Sequence, residues 1–467
     1  MDAYLVGGYL RDSLAGVPSN DLDVVINGSP KELAKELADR VGSTYSTLDR
    51  DNQVYRVPLR SVKGSNCHVD IARLRGTVED DLSRRDFTVD AIALPLEEWY
   101  STEWWEKVID PFDGRGDIRA KNVRALKPSV FQEDPIRLLR AVRLAARLSF
   151  KIEEETAQFI SRYAALLSSA SPENIRDEFL AILSLDGARK HLETLDRLGL
   201  LLELMPELES SRGIEQPKEH YWDVFEHSLN SVEAVEKMTG QSSLGRTIAS
   251  MPWPNQMVDY IGQQVSDGHS RRTIIKLAAL MHDVAKPMTK SIDSVGRIRF
   301  LGHQTIGSLM SRDILNRIRV SNNGIKMVSG MIKHHLRPTH MSKKGDLPTP
   351  RAIYRYFRDV GDVAVDTLYL SLADHIGAKG PQLDVDEWRS HVKMVTHILE
   401  IGTHQQKPSQ TPRLITGYDL ISEFGLVPGP YIGVLLEQTR EAQLVGDVTT
   451  REGTLAWLKD RVRSQKL

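Results

Sequence analysis

The residues that could carry chemistry begin near the N-terminus, where two aspartates stand two positions apart in the stretch NDLDVVI. On a β-strand, alternate side chains project from the same face, so Asp21 and Asp23 are predicted to lie side by side. Two adjacent carboxylates repel each other unless a cation lies between them. Because Mg²⁺ prefers oxygen ligands, the pair predicts a magnesium site of the kind used in phosphoryl transfer.

A glycine pair precedes these aspartates in the stretch GGYLRD, where Gly7 and Gly8 are followed by Arg11 and Asp12. A dinucleotide-binding fingerprint needs three glycines spaced G-x-G-x-x-G, and the third glycine is missing here. The turn can instead present backbone N–H groups to a phosphate at the start of the following helix. A plain strand-to-helix turn is the alternative interpretation.

Further charged residues follow on two later strand-like runs. Asp70 in HVDIARL is a candidate third carboxylate that shares a metal or helps to deprotonate an attacking hydroxyl, and a solvated strand aspartate is the alternative. Arg84, Arg85 and Asp86 stand together in SRRDFTVDAIAL. Arginines beside a carboxylate suit a triphosphate and a ribose, although a helix start capped by Asp86 would have the same sequence.

A strongly basic segment spans residues 115–151, which hold ten Lys or Arg against three Asp or Glu. Asp134 and Pro135 are predicted to begin a helix within it, as the N-cap and the first helical residue. One face of this helix is predicted to be apolar, formed by Leu138, Leu139, Val142, Ala145 and Ala146. The opposite face carries Arg137, Arg140, Arg143 and Arg147. This face predicts a nucleic-acid-binding surface, and a solvated helix face is the alternative.

A second group of candidate residues lies in the C-terminal half, where histidines and aspartates recur along helical stretches. A His–Asp pair buried in an apolar helix needs a partner, because unpaired buried charge is costly, and a divalent metal supplies one. The candidate metal ligands are His227, His282, Asp283, His303, His334, His335 and Asp374. Any one of these histidines taken alone is more often structural, so the prediction depends on the ordered set.

The elements that must position these residues divide the chain by pattern. Residues 1–113 mix strand-like runs with short helices, and after them no strand-like alternation is convincing. Breaks rich in Pro, Gly and Ser lie near residues 206–218, 250–256, 337–350 and 403–412. We predict an α+β fold, with a mixed sheet and helices at 1–114, an all-α neck and body at 115–215, a helical domain at 216–390 and a helical tail at 391–467.

Composition restricts the class of protein. The 467 residues suffice for two to four domains, and the net charge of −2 gives no overall field for nucleic acid. The single cysteine, Cys67, excludes an intramolecular disulfide framework and fits a reducing compartment. No apolar run approaches the ~20 residues of a membrane helix, and no secretory signal is recognised. We therefore expect a cytoplasmic protein without a membrane partner.

The stretches GGYLRD, DLD, RRDFTVDAIA and DPFDG resemble the head of class II tRNA nucleotidyltransferases and of the related bacterial poly(A) polymerases. The resemblance implies a polymerase-β-like nucleotidyltransferase fold in which Asp21 and Asp23 hold Mg²⁺. It further implies a triphosphate site formed by Gly7, Gly8, Arg11 and Asp12, and ribose contacts from Arg84, Arg85 and Asp86. One departure is visible at Asp90, where the family usually has Asn.

The basic helix also resembles this family, because Glu133, Asp134 and Arg137 match its E-D-x-x-R motif. The match implies that the Asp and the Arg read the Watson–Crick edge of the incoming CTP or ATP. A carboxylate accepts from an exocyclic amine and a guanidinium donates to a ring acceptor, so C and A are admitted and G and U are rejected. We assign Arg140 to the same nucleotide site, and Arg143 and Arg147 to RNA binding.

The order H…HD…H…HH…D over roughly residues 220–385 resembles the HD phosphohydrolase superfamily. This resemblance implies a mono- or dinuclear metal centre that activates water against a phosphoester. Histidine favours transition metals, so Ni²⁺, Mn²⁺, Co²⁺ or Fe²⁺ is expected there rather than Mg²⁺. The tail resembles the C-terminal helical module of the nucleotidyltransferase family, with Gly429 and Gly433 opening a helix.

Together the resemblances imply a tRNA nucleotidyltransferase that transfers CMP and/or AMP from CTP or ATP to the tRNA 3′ end. Relatives that add the whole CCA carry a flexible loop before the R-R-D motif, whereas only IARLRGTVEDDLS joins Asp70 to Arg84 here. The sequence therefore does not decide whether CC, A or CCA is added. It also does not decide whether the protein is a monomer or a homodimer. A poly(A) polymerase is the alternative enzyme, and an inactive RNA-binding or metal-sensing protein is the alternative of another class.

Overall fold

The computed structural model describes residues 2–59, 67–239, 256–342, 346–405 and 412–464. The chain forms two compact units, residues 1–206 and residues 207–467. The first contains a mixed sheet flanked by helices, and the remainder is mainly helical, so the predicted fold class is confirmed. The finer division into four domains stays a prediction. Within the described ranges, no helix has both the length and the apolar character needed to cross a bilayer.

The head is built on one six-stranded sheet. Its strands are β1 Ala3–Val6, β2 Asp21–Ile26, β3 Ser46–Asp49, β4 Val54–Leu59, β5 Cys67–Arg73 and β6 Ala93–Pro95. Their order in space is β3-β4-β5-β2-β1-β6, and only the β2–β5 pair is parallel. This register places Asp23 of β2 directly beside Asp70 of β5, which brings the two predicted carboxylate segments together.

Helices surround this sheet and continue beyond it in the first unit. They are α1 Gly7–Ala15, α2 Pro30–Val41, α3 Val78–Leu82, α4 Gly114–Ala120, α5 Val130–Glu133, α6 Arg137–Leu148, α7 Glu154–Tyr163, α8 Pro172–Ser184, α9 Ala188–Arg197 and α10 Leu200–Leu204. Short 3₁₀ turns span Thr88–Asp90, Leu96–Tyr100, Trp104–Lys107 and Ala164–Ser169. Thr77 begins α3 with a reciprocal capping box to Asp80, which sets a sharp turn between β5 and the R-R-D motif.

Helix α6 has the two faces that the sequence predicts. Its buried residues are Leu138, Leu139, Ala141, Val142, Leu144, Ala145 and Leu148, a wider apolar stripe than predicted. The predicted start was wrong: α6 begins at Arg137, and Asp134 is the C-cap of the short helix α5. The Asp134 side chain accepts from the Ile136 N–H at 3.2 Å, so it caps a turn between two helices instead of the helix itself.

The second unit is mainly helical. Its helices are Val224–Thr239, Gln256–Gly262, Arg271–Met281, Lys286–Thr289, His303–Arg317, Asn322–His334, Arg337–His340, Pro350–Val360, Ala364–Lys379, Val385–Gln405, Gly417–Phe424, Pro430–Leu444 and Arg451–Ser464. The tail helices enclose a small core of Ile415, Leu420, Leu435, Leu458 and Val462. Gly429 precedes the helix that starts at Pro430, as predicted, whereas Gly433 lies inside that helix.

Short strands correct the expectation of a purely helical remainder. Pairs of two or three residues form at β7 Asn122–Val123 with β8 Lys151–Ile152, β9 Gln264–Ser266 with β10 His269–Ser270, and β11 Lys290–Ile292 with β12 Ile298–Phe300. Such short strands show too little alternation to stand out in the sequence. The β11–β12 hairpin lies in the segment between Lys286 and His303, two residues that belong to the candidate site described below.

Candidate functional site

The head site is organised by the parallel pair of strands β2 and β5. Asp21, Asp23 and Asp70 project from one face, because Asp23 pairs with Asp70 and alternate residues share a side. The Asp21 side chain is 67% exposed, whereas Asp23 is partly buried below it. The three carboxylates therefore share one face of the sheet, and carboxylate oxygens suit a divalent cation. In this structure they do not approach one another closely enough to form a three-ligand group like those of the second unit.

Asp23 lies in an electrostatically unfavourable position. Burial raises its pKa above the ordinary value, and Asp70 and Asp90 add to the rise, while Arg85 and the Gly8 backbone N–H oppose it. Gly7 has a left-handed φ of +67°, and a Cβ atom there would lie 2.8 Å from Arg85 Nη1 and 3.2 Å from Asp23 Oδ2. The glycine is therefore required both by its backbone conformation and by the close approach of the site residues.

Two partners of the carboxylates were not predicted from the sequence. Arg56 on β4 makes two hydrogen bonds to Asp70, at 2.8 and 2.7 Å, and His68 Nε2 lies 3.1 Å from Asp21 Oδ1. Arg56 and Asp70 face each other across β4 and β5, and His68 stands opposite Asp21. Because these pairs depend on strand order, the sequence carried no signal for them. They fix the orientation of carboxylates that would bind metal.

A cavity of about 310 Å³ opens on the same sheet face, bordered by Val25 and Ala72, which lie two residues beyond Asp23 and Asp70. Its charged lining includes most of the predicted nucleotide-binding residues: Arg84, Arg85, Asp86, Asp134, Arg137 and Arg140. A volume of this size suits a small organic ligand. The combination of guanidinium groups and carboxylates in one cavity suits a nucleoside triphosphate.

The predicted base-selecting residues lie at one end of this cavity. Arg137 donates from Nη1 to the Val130 carbonyl at 3.3 Å, and its Nε lies 3.9 Å from Asp134 Oδ2. Glu133 does not line the cavity and instead pairs with Lys127 at 2.7 Å. Lys127 and Ser129 hold the pKa of Glu133 below its ordinary value. Asp134 and Arg137 thus present an acceptor and a donor side by side, as the motif requires.

Gly8, Arg11 and Asp12 do not line the cavity. Arg11 and Asp12 are buried and bind each other, and Asp12 also pairs with Arg147. Arg11 Nη1 lies 2.5 Å from Asp90 Oδ1, and Arg140 Nε lies 2.8 Å from Asp86 Oδ2. These contacts give Arg11 and Asp12 internal partners, so their predicted triphosphate contacts remain a prediction that the geometry does not favour.

Three of the four arginines on the basic face of α6 pair with carboxylates of the same unit. Arg140 pairs with Asp86, Arg143 with Glu178 and Arg147 with Asp12. Arg143 Nε lies 2.5 Å from Glu178 Oε2, a partner 35 residues away on α8. The net excess of basic residues in the sequence therefore overstates the unpaired positive charge, and RNA binding by Arg143 and Arg147 remains a prediction.

In the second unit, six of the seven predicted metal ligands converge. His227 Nε2 lies 3.0 Å from His282 Nε2, 3.2 Å from Asp283 Oδ2 and 3.1 Å from Asp374 Oδ1. His303 Nε2 lies 3.3 Å from both His335 Nε2 and Asp283 Oδ1. Two groups with metal-binding geometry result, one of His227, His282 and Asp283 and one of Asp283, His303 and His335. Asp283 belongs to both groups.

Backbone hydrogen bonds orient these histidines. Nδ1 of His282, His303 and His335 lies 2.7 to 2.8 Å from a backbone carbonyl three residues earlier, which leaves each Nε2 facing the cluster. Burial lowers the pKa of His303, and lowers that of His335 to about 4, so both imidazoles are neutral. A neutral imidazole with Nδ1–H tied to a carbonyl is the form in which histidine binds metals through Nε2.

The charges of the cluster also fit a cation. Burial opposes ionisation, yet His282 and Lys286 hold the pKa of Asp283 well below its ordinary value. Burial likewise opposes protonation of His282, but the carboxylates of Asp283 and Asp374 raise its pKa to about 10. Both shifts indicate that the buried carboxylate of Asp283 and the partly buried carboxylate of Asp374 attract positive charge. The nitrogen-rich donor set favours a transition metal over Mg²⁺.

One predicted ligand lies elsewhere. His334 is not part of either group and lines a separate cavity with Arg312, Lys326 and Lys333. Successive helical side chains point about 100° apart, so at the end of the helix Asn322–His334 only one of two consecutive histidines can face the cluster. The prediction that His334 completes a metal position does not agree with this geometry, whereas His335 lies in the second group with Asp283 and His303.

Three residues beside the cluster were not among the predicted ligands. Lys286 Nζ lies 2.6 Å from both Asp283 Oδ2 and Gln216 Oε1. His220 packs edge-on against His227 with ring centroids 5.4 Å apart, and burial lowers its pKa to about 4. The stretch QPKEHYWDVFEH, which carries Gln216, His220 and His227 within twelve residues, was the available signal.

Comparisons with known proteins agree with this architecture. Three family models match the chain: "Poly A polymerase head domain" at residues 3–124, "Probable RNA and SrmB-binding site of polymerase A" at 149–211, and "HD domain" at 224–378. The second stretch begins just after the arginine-bearing helix, and the third encloses the six-residue cluster.

Curated relatives match over nearly the full chain. An A-adding tRNA nucleotidyltransferase of Deinococcus radiodurans is 31% identical over 464 residues, covering 98% of this chain and 95% of the relative. A CC-adding tRNA nucleotidyltransferase of Thermus thermophilus is 29% identical, covering 98% and 93%. A solved CCA-adding enzyme in complex with CTP shares the fold with a TM-score of 0.62 at 19% identity, covering 99% of this chain and 91% of that one.

Proposed function

Because the chain belongs to the family of tRNA nucleotidyltransferases, we propose that its head transfers CMP or AMP from CTP or ATP to the 3′ end of tRNA. The observation that carries the proposal is the junction of two features on one sheet face. Asp21, Asp23 and Asp70 project from this face, and a cavity lined by arginines and by Asp134 is bordered by Val25 and Ala72, two residues beyond Asp23 and Asp70. This arrangement would give the reacting phosphate and the selected base adjacent sites.

In this reaction the terminal 3′-hydroxyl oxygen forms a bond to the α-phosphorus, and the bond from that phosphorus to the β-phosphate oxygen breaks to release pyrophosphate. Asp21 and Asp23 would hold Mg²⁺, which when bound neutralises charge on the phosphate oxygens. Asp70, oriented by Arg56, lies beside Asp23 and would accept the proton of the hydroxyl. Arg84 and Arg85 would bind the triphosphate, and Asp86 the ribose.

The product is proposed to be part of the CCA end. Only residues 74–77 separate β5 from α3, and the capping box at Thr77 makes this connection compact. The family resemblance associates whole-CCA addition with a flexible loop at this point. The relatives named above are A-adding and CC-adding, which supports a partial product without choosing between the two.

The decisive experiment offers labelled CTP and ATP to three tRNA substrates, one lacking all three terminal nucleotides, one ending in CC and one ending in CCA. Two CMP added to the first substrate alone would identify CC addition, and one AMP added to the second alone would identify A addition. Long AMP tracts on any RNA would identify a poly(A) polymerase. If no nucleotide is incorporated into any substrate, the remaining interpretation is an inactive RNA-binding or metal-sensing protein.

Base selection is testable at Arg137. Arg137→Ala is expected to slow the use of CTP and ATP and to reduce discrimination against GTP and UTP by at least about tenfold, because the donor to the base edge is lost. Helix α6 should still form, since Ala favours helix. Single-turnover rates with each triphosphate measure the effect. Arg162→Ala, an exposed arginine on α7, is the control, and unchanged selectivity in Arg137→Ala would reject the assignment.

The Gly7 turn gives a second test with a matched control. Gly7→Ala is expected to lower transfer at least about tenfold, because its Cβ would displace Arg85 and Asp23. Gly16 has a similar φ of +70° but open space around a Cβ, so Gly16→Ala carries the same backbone strain of about 1 kcal/mol without the clash. Equal losses of activity in the two variants would assign the effect to backbone strain alone.

For the second unit we propose a metal-dependent phosphohydrolase, because six ligands converge and Asp283 joins two groups. When bound, a transition metal supplies a water or hydroxide nucleophile at neutral pH. Lys286 Nζ, held by Asp283 and Gln216, would attract a substrate phosphate to the cluster. The proposed substrates are 2′,3′-cyclic phosphates or 2′-nucleotides at damaged tRNA ends, since a cyclic phosphate blocks the 3′-hydroxyl that nucleotide addition needs.

A further inference from the structure

A cavity of about 480 Å³ lies in the second unit and is lined by none of the six residues that form the metal cluster. It is bordered by the helix His303–Arg317, the helix Asn322–His334 and the 3₁₀ turn Gly361–Val363. A volume of this size is sufficient for a small organic ligand. Neither of the functions proposed above uses a residue of this lining.

The charged residues of the lining are predominantly basic. They include Arg271, Arg312, Lys326 and Lys333 but only one acidic residue, Asp362. Lys326 and Asp362 lie 3.5 Å apart with side chains 74% and 86% exposed, so this pair is weak and screened by solvent. Within the described ranges, no carboxylate forms an ion pair with Arg312 or Lys333. The cavity therefore suits an anionic ligand.

Arg271 is held in a fixed orientation at this cavity. Its side chain is 15% exposed, its Nη1 donates to Asp366 Oδ2 at 2.7 Å, and its Nε donates to Gln263 Oε1 at 3.1 Å. The guanidinium also lies over the Tyr260 ring, 4.4 Å from the centroid. Among the described residues its Nη2 has no acceptor, so a preoriented guanidinium retains a donor for a ligand.

Apolar side chains also border the cavity. They are Val265, Met327, Val360 and Val363. Arg312 Nε lies 3.4 Å from Ser329 Oγ, which places the Arg312 guanidinium along the same wall. An inorganic anion would leave the apolar surface without a partner. A nucleoside phosphate carries both an anionic group and a flat aromatic base that packs against aliphatic side chains.

We propose that this cavity binds a nucleoside phosphate, with the phosphate held by Arg271, Arg312 and Lys333 and the base packed against the apolar residues. The ligand is a free nucleotide or one nucleotide of a bound RNA, which present the same chemistry to the site. The inference goes beyond the two proposed functions. It depends on neither nucleotide transfer nor phosphoester hydrolysis, because binding alone tests it.

Equilibrium dialysis of the intact chain with labelled GMP tests the free nucleotide. GMP lacks a triphosphate and carries a base that the head is proposed to reject. Arg312→Gln and Lys333→Gln are each expected to weaken GMP binding at least about tenfold, because each removes a charge-assisted hydrogen bond to the phosphate. Guanosine, which has no phosphate, should bind wild type at least about tenfold more weakly than GMP.

The matched control is Arg317→Gln. Arg317 lies on the same helix as Arg312, pairs with Glu207 at 2.9 Å and does not line the cavity. Its replacement should leave GMP affinity within about twofold of wild type. Arg137→Ala, in the head, should do the same, which separates the two candidate nucleotide sites. Because the side chains of Arg312 and Lys333 are exposed, thermal unfolding of their variants should resemble wild type.

Binding of labelled tRNA at several salt concentrations tests the RNA source. If a nucleotide of RNA occupies the cavity, Arg312→Gln and Lys333→Gln should each lower tRNA affinity at least about tenfold. Each should also reduce the slope of log affinity against log salt by about 0.7 to 0.9, the contribution of one phosphate contact. Losses confined to GMP identify a free nucleotide, and losses of tRNA affinity identify RNA.

The inference is overturned if neither GMP nor tRNA affinity falls in the Arg312 and Lys333 variants. Equal losses in Arg317→Gln, or equal binding of guanosine and GMP, would also overturn it, because the cavity would then not recognise phosphate. A wild type that shows this binding but adds no nucleotide to tRNA would refute the transfer proposal and leave the site in the second unit in place.

Discussion

Replacing Asp23 by alanine is expected to lower nucleotide addition to tRNA by at least about 1,000-fold, which corresponds to about 4 kcal/mol of lost transition-state stabilisation. Burial raises the pKa of Asp23, and the like charges of Asp70 and Asp90 add to the rise, so its charge is tolerated only near cations. Asp21→Ala should have a similar effect, because both carboxylates would hold the same Mg²⁺. Single-turnover incorporation of labelled nucleotide measures both losses.

The control for this prediction is Asp49→Ala, a half-buried aspartate at the end of β3 whose side chain is bonded to Asn52 and lies outside the site. It should retain full activity. Circular dichroism and thermal unfolding should place all three variants close to wild type, since removal of a carboxylate from a crowded acidic group does not unpack the core. Activity of the Asp21 and Asp23 variants within about tenfold of wild type would reject the metal assignment.

Replacing Asp283 by asparagine is expected to abolish both bound metal and phosphohydrolase activity of the second unit, the latter by at least about 1,000-fold. Asp283 is the one residue that belongs to both groups of candidate ligands, so its loss affects both positions. Metal content is measured by elemental analysis after supply of Ni²⁺, Mn²⁺ or Co²⁺, and hydrolysis is measured with 2′,3′-cyclic AMP. Nucleotide addition by the head should change by less than about twofold.

The consecutive histidines provide the control for the cluster. His335→Ala should lower metal content, because His335 lies 3.3 Å from His303 inside the second group. His334→Ala should not, because His334 lines a different cavity. If wild-type protein binds no metal on addition and hydrolyses no cyclic phosphate, the cluster is structural. If it binds metal but hydrolyses no phosphoester, the proposed substrate is wrong and the metal site stands.

The candidate sites differ in how far the sequence could predict them. The head carboxylates follow from the two-residue period of a strand, and the apolar and basic faces of α6 follow from the helical period. The start of α6 could not be predicted in the same way, because an Asp–Pro pair also suits a turn between two helices, and that turn is what forms. Local helix propensity does not distinguish a helix start from such a turn, so the surrounding packing decides between them.

The basic segment shows the limit of charge counting. Ten basic residues against three acidic ones predicted a free positive surface, but Glu178, Asp12 and Asp86 neutralise three of the four arginines on α6. Each of these three carboxylates lies at least 35 residues along the chain from the arginine with which it pairs. The charge on a surface depends on which residues from distant parts of the chain pack against it. The excess of basic residues in one segment therefore gives only an upper bound on the unpaired positive charge there.

The sequence by itself determined the residue types, their periodicity and their order: two aspartates on one strand face, an amphipathic arginine helix, and the ordered histidines and aspartates of the second unit. Tertiary structure alone decided which of them meet. The parallel register of β2 and β5 sets Asp70 beside Asp23. Helix rotation selects His335 over His334. The reason is that spacing fixes only the direction of a side chain within its own element, whereas a site requires contacts between elements far apart in the chain.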